Sequence, residues 1–154
     1  MGSRREFIQT IGCFAGALAA MGIGRDVLAA PITTVDGAQA GDDRVYPLPA
    51  ADGITVDRNA QVILVRANGH VFALSLACPH QSAAVRWVPQ HNQFECTKHD
   101  SHYQPDGVHV SGRATRNMDR FPVRRDGNSL HVDIAHVFQS DKDPAGWAAA
   151  TVAV

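Results

Sequence analysis

Apolar positions beyond residue 60 come in short runs separated by glycine, asparagine and aspartate, not at the three-to-four spacing of an amphipathic helix. Residues 61–65 (QVILV) and 70–74 (HVFAL) flank Asn68-Gly69, a dipeptide suited to the positive φ angles of a tight hairpin turn. Residues 85–88 (VRWV) and 93–95 (QFE) form a second pair around 90–92 (QHN). Residues 121–124 (FPVR) and 129–132 (SLHV) form a third around 126–128 (DGN). After the N-terminal stretch no segment of helical period competes with these, so the pattern predicts an all-β chain. The tail, 135–154, fits neither pattern; Trp147 stands there amid alanines, placed to pack along a sheet or to dock a partner.

The beginning of the chain has a different composition. Residues 3–8 read SRREFI, a twin-arginine pattern, and a weakly apolar run rich in glycine and alanine follows over 11–24. That is the layout of a bacterial export signal of the twin-arginine class, with Val27-Leu28-Ala29 satisfying the small-x-alanine rule for cleavage. The run is shorter than the roughly 20 apolar residues that span a bilayer, which favours cleavage over retention as an anchor. Residues 31–44 (PITTVDGAQAGDDR) are small and polar and read as a flexible linker. The organisation is therefore a signal over 1–30, a linker over 31–44 and one domain over 45–154, near the common domain size. A formal net charge of −1 gives no basic excess, so nucleic acid is not an expected partner.

The candidate chemistry lies in two clusters. Of three cysteines, two stand beside histidines: Cys78-Pro-His80 and, fifteen residues on, Cys96-Thr-Lys-His99. Two short Cys/His clusters at this separation suit two loops that converge on a metal. Zinc accepts two thiolates and two imidazoles in a tetrahedron. A binuclear iron–sulfur cluster can use the same four, with thiolates on one iron and imidazoles on the other. The residue types alone leave both open.

The mixed order, one cysteine and one histidine per cluster, resembles the Rieske motif C-x-H…C-x-x-H, and the resemblance runs over about residues 61–133. It implies one [2Fe-2S] cluster, with Cys78 and Cys96 on the inner iron and His80 and His99 on the outer. It also implies an antiparallel β-sandwich carrying a small inserted cluster-binding subdomain. His99-Asp100-Ser101-His102-Tyr103 is similar to the H-x-S-x-Y stretch of high-potential members. There Ser101 would donate to a bridging sulfide and Tyr103 to a cysteine sulfur, stabilising the reduced state. The chain departs from cytochrome bc-type members at two places. Ala83 and Lys98 stand where those proteins carry a disulfide, and Cys13, the remaining thiol, is far away in sequence. Their proline-rich covering loop is matched here by Gly112-Arg113-Ala114-Thr115-Arg116.

Together these features predict an exported protein carrying one electron at a time between periplasmic redox partners. The partner would be a c-type cytochrome or a membrane or molybdenum oxidoreductase subunit. The location would be the periplasm, or the periplasmic face of the inner membrane. The twin-arginine route, which moves folded proteins, suits a cluster assembled before export. The alternatives are the Rieske subunit of a quinol–cytochrome c oxidoreductase, with quinol at the outer histidine, and the small subunit of a molybdenum oxidase resembling arsenite oxidase. A ferredoxin for an aromatic-ring dioxygenase and a zinc-stabilised binding module are further readings. No second metal site or nucleophile–base set stands out, so chemistry on a substrate is not expected. His70, His109, His131 and His136 read as sheet-face residues, His91 as a turn residue, and His102 as out of register for iron. Arg113 and Arg116 read as solvated charges, with partner contact as the other use of their position.

Overall fold

The computed structural model describes residues 32–154. The twin-arginine stretch, Cys13 and the processing site lie outside them. The expected Asn68-Gly69 hairpin forms: β5 (Val62–Ala67) and β6 (His70–Ser75) pair antiparallel from Val62↔Ser75 to Ala67↔His70. Asn68 at φ 53° and Gly69 at φ 75° supply the two left-handed positions that match the turn to strand twist. β4 (Gly53–Asp57) pairs with β5, and β1 (Ile32–Thr34) adds beyond β4. With β13 (Val152–Ala153) on β6, the order in this five-stranded sheet is β1-β4-β5-β6-β13. The β1–β4 pair is parallel and the rest of the sheet is antiparallel.

This sheet forms the middle of three layers, because β5 is apolar on both faces. Val62 and Leu64 point one way and Ile63 and Val65 the other, all four at most 2% exposed. On the first face they meet a second sheet, ordered β11 (Val123–Asp126), β12 (Ser129–Asp133), β3 (Asp43–Pro47) and β2 (Ala38–Ala40). Tyr46, Leu130 and Val132 from that sheet pack with Val62, Leu64, Val71 and Ala73. On the other face lies a third sheet, ordered β10 (His109–Ser111), β9 (His102–Tyr103), β8 (Gln93–Cys96) and β7 (Val85–Val88). Val85, Trp87, Phe94 and Tyr103 from it share a core with Ile54, Ile63, Val65 and Leu74. At about 1.5–3 kcal/mol per buried large side chain, these two interfaces hold the layers together. The third sheet is inserted in the chain between β6 and β11, so a small subdomain sits on one face of a sandwich.

Two segments differ from the sequence expectation. Residues 31–44, expected as a flexible linker, supply β1, β2 and the start of β3. β1 and β2 are exposed along their whole length at sheet edges, which is why their composition looks like a linker while their backbones are paired. The tail contains a short helix, α1 (Pro144–Ala149), too brief to show a helical period. Pro144 sits in its first turn, and the Asp143 carboxylate accepts from Gly146 N at 2.8 Å as an N-cap.

The tail is tied to the body by Trp147 and Arg120. The buried Arg120 guanidinium lies 3.6 Å from the Trp147 ring centre and 4.6 Å from that of Phe72. Its Nη1 donates to Trp147 O at 3.0 Å and its Nη2 to Asp106 O at 2.7 Å. Burial lowers its pKa to about 10, partly opposed by Asp106, so it stays a cation at neutral pH. Trp147 Nε1 in turn donates to Met118 O at 2.7 Å. Through these bonds α1 is held to the body at Asp106, Met118 and Arg120.

Candidate metal centre

Two hairpin-like loops of the inserted subdomain carry the Cys/His clusters. In the first, Cys78 N donates to Ala83 O at 2.7 Å and Ser82 N to Cys78 O at 2.8 Å. Ser82 takes a left-handed φ of 54° to close the turn, and Val85 N to Leu76 O at 2.9 Å closes its base. In the second, Cys96 N donates to Ser101 O at 2.8 Å, and Asp100 at φ 55° makes the reversal. Each loop therefore puts its cysteine at the inner base and its histidine toward the tip.

The loops are joined to each other. Val85 pairs with Cys96 in the β7–β8 ladder. Ala84 O accepts from both Thr97 N, at 3.1 Å, and Thr97 Oγ1, at 2.9 Å. Ala83 and Lys98, the positions without cysteine, immediately flank this contact. A hydrogen-bonded clamp thus stands next to the place where a covalent one is missing. Thr97 was not legible in the sequence as a clamp, because only the pairing of the two loops gives its hydroxyl an acceptor.

A third loop covers the second. Gly112, at φ +98°, lies so close to it that an added Cβ would stand 2.1 Å from Asp100 O and 2.4 Å from Ser101 Cα. Only glycine fits both the angle and the approach. Two residues on, Ala114 N donates to the buried Ser101 Oγ at 3.0 Å. The Gly112–Arg116 stretch therefore lies against the second loop at Asp100 and Ser101.

The structure brings Cys78, His80, Cys96, His99, Ser101 and Tyr103 to one place. Cys78 and Cys96 are buried. Tyr103 Oη lies 3.2 Å from Cys78 Sγ. Burial raises the Tyr103 pKa far above the phenol value, and Cys78 adds to that, so the hydroxyl remains protonated. Burial tends to raise the Cys96 thiol, but the backbone amides of Lys98 and His99, the Cys78 side chain and the Lys98 charge together pull it below its usual value. Outside the thiols, the His80 and His99 rings are 4.9 Å apart at 83°. Their Nδ1 atoms are buried and lack any hydrogen-bond partner. Desolvation, then the charges of His80, Arg113 and Lys98, hold the His99 pKa below the ordinary imidazole value. A neutral ring with an orphaned, buried nitrogen is what a metal ligand needs.

The donors fit a binuclear centre. They sort into a buried thiol pair inside and an imidazole pair outside, which suits thiolates on one iron and imidazoles on the other. Of the other histidines, His109 stacks edge-on to Tyr103 at 5.6 Å, and His102 bonds Asp100 Oδ1 at 3.1 Å through Nε2. His109 Nε2 is buried without a partner as well, but its ring packs on Tyr103.

Comparison with known proteins gives the family of the chain. The family model of the Rieske [2Fe-2S] domain matches residues 44–122, and the chain belongs to that family. Such a domain carries one [2Fe-2S] cluster for electron transfer. The cytochrome b6-f complex iron-sulfur subunit of Synechococcus sp. (strain JA-3-3Ab) is 30% identical over 112 residues, covering 70% of this chain and 61% of that one. The corresponding subunit of Chlorobaculum thiosulfatiphilum is 31% identical over 75 residues, 49% of this chain and 41% of that one. The chain thus spans between two fifths and three fifths of these relatives. Among solved structures, the cyanobacterial plasma membrane Rieske protein PetC3 from Synechocystis PCC 6803 aligns at 26% identity and a TM-score of 0.42. That alignment covers 46% of this chain and 74% of that one.

Proposed function

We propose that Cys78 and Cys96 hold the inner iron of the [2Fe-2S] cluster, and His80 and His99 the outer iron, and that the protein transfers single electrons between redox partners. The observation that carries this assignment is the pair of buried, unpartnered Nδ1 atoms set outside a pair of buried thiols. The bound cluster supplies a one-electron couple. The protein's residues tune and shield it. Tyr103 donates toward Cys78 sulfur, Ser101 would donate to a bridging sulfide, and the third loop excludes water from that side. His80 and His99 are only partly buried, so their side of the centre is where a partner comes closest.

The twin-arginine stretch supports delivery to the periplasm, in soluble form or at the inner membrane. Among the described residues no helix is long and apolar enough to cross a membrane. A c-type cytochrome fits as the partner. The names of the relatives, iron-sulfur subunits of cytochrome b6-f complexes, also support a place as the Rieske subunit of a membrane complex; if that complex oxidises quinol, quinol would meet the outer histidines. A molybdenum oxidase subunit is the third candidate partner. The assignment is tested on protein purified from its native export pathway. It predicts about two irons and two acid-labile sulfides per chain, reducible by one electron. Stoichiometric zinc without visible absorption would overturn it in favour of a binding module.

A further inference from the structure

We infer that Lys98 and Arg113 form a cationic docking rim beside the exposed edges of His80 and His99, and that this rim selects a redox partner with an acidic face around its own centre. The inference rests on the electron-transfer reading above and adds the chemistry of the partner.

Lys98 directly precedes His99 and is exposed at the tip of the second loop. Arg113 is brought there by Gly112, whose backbone lies against Asp100 and Ser101, and is also exposed. The two come from different loops, and both flank His99: Lys98 is its neighbour in the chain, and Gly112 seats Arg113 beside Asp100 and Ser101, the residues that follow it. Nearby cations are neutralised and these are not. Arg116 is held by Asp119 and lies 3.7 Å from Asp141, and Arg86 lies 3.3 Å from Glu95. Lys98 and Arg113 form no ion pair among the described residues. The carboxylate nearest in sequence, Asp100, is 94% exposed and engaged by His102 Nε2 at 3.1 Å.

The local sign is opposite to the global one, because the whole chain has a formal net charge of −1. A protein steered by its total charge would be approached more readily by cations. One steered by a cationic rim at its electron-transfer edge would be approached more readily by anions. Uncompensated exposed cations at that edge therefore act on encounter and orientation, with little effect on stability.

The test uses the reduced holoprotein and two small one-electron oxidants, anionic ferricyanide and cationic tris(phenanthroline)cobalt(III). Rates are followed from low ionic strength to about 0.5 M, where exposed charges are screened. The rim predicts that the ferricyanide rate falls with salt while the cobalt rate rises. In the double variant Lys98→Glu, Arg113→Glu both slopes should change sign, and the ferricyanide rate at low salt should drop about tenfold or more. Arg125→Glu, at the β11–β12 turn on another sheet, should leave both slopes as they were. Slopes that follow the net charge, or flat slopes for both oxidants, would refute the rim while leaving the cluster assignment standing. Flat slopes together with rim-dependent binding to phosphatidylglycerol vesicles would assign these cations to a membrane surface instead. Should the double variant lose its visible spectrum, the wild-type slopes alone decide. A wild-type protein without a cluster would remove the electron-transfer reading and the rim with it.

Discussion

Tyr103 Oη lies 3.2 Å from Cys78 Sγ, and both side chains are buried, at 0% and 1% exposure. The phenol reaches sulfur because β9 pairs with β8, setting Tyr103 opposite Phe94 and facing the core that also holds Cys78. A donor aimed at sulfur favours the reduced state, where charge on that sulfur is greater. If Tyr103→Phe removes about 1 kcal/mol of this preference, the potential should fall by about 40 mV for a one-electron couple. Ser101→Ala should also lower it. Protein-film voltammetry on both variants, with the visible spectrum retained, checks this. Unchanged potentials would show that neither hydroxyl acts on the cluster.

The close seat of Gly112 against Asp100 and Ser101 makes a second expectation. Gly112→Ala adds both a left-handed strain and a Cβ about where Asp100 O already lies. The third loop should lift, breaking the Ala114 N to Ser101 Oγ bond. Stability should drop by about 3 kcal/mol, and the variant should release iron to a chelator faster than wild type. Denaturant unfolding and chelation kinetics measure the two effects. A variant with wild-type stability would contradict the packing described.

Asp57 supplies a pH dependence away from the metal centre. Burial works to raise its pKa, but the amides of Ala60 and Gly37 and the Tyr46 hydroxyl outweigh that and hold it below the carboxylate range. A depressed folded pKa means stability that is fully present above the unfolded value, about 3.9, and is lost as pH falls through the folded value. Asp57→Asn should therefore cost about 2 kcal/mol at neutral pH. The gap between variant and wild type should narrow as pH drops below about 4. Urea unfolding across pH checks the sign; a gap that widens in acid would refute it.

The export proposal has its own test. Replacing Arg4 and Arg5 together by lysine should trap the precursor in the cytoplasm with its cluster in place. Fractionation of cells expressing the double variant reads the outcome. Continued delivery to the periplasm would mean that the SRREFI stretch is not a twin-arginine signal.

The hairpins were legible because Asn68-Gly69 and the Gly127 turn impose local backbone angles that few other dipeptides tolerate. The Cys/His spacing was legible because each cluster is a single short loop. What was hidden depended on contacts between distant segments. Thr97 becomes a clamp only where Ala84 O meets it, and Arg120 becomes a tail anchor only between Phe72 and Trp147. The strands within 31–44 were missed because an edge strand exposed on both sides has no reason to be apolar.

In the proposed centre, two imidazoles and two thiolates share one cluster. Its most direct test is pulsed EPR of the reduced protein, with histidine nitrogens labelled. The reduced protein should give a rhombic signal with two strongly coupled nitrogens, assigned by label to imidazole, and hold iron and labile sulfide near two each. A cluster signal without histidine nitrogen coupling, or a protein holding one zinc and no EPR signal, would contradict it.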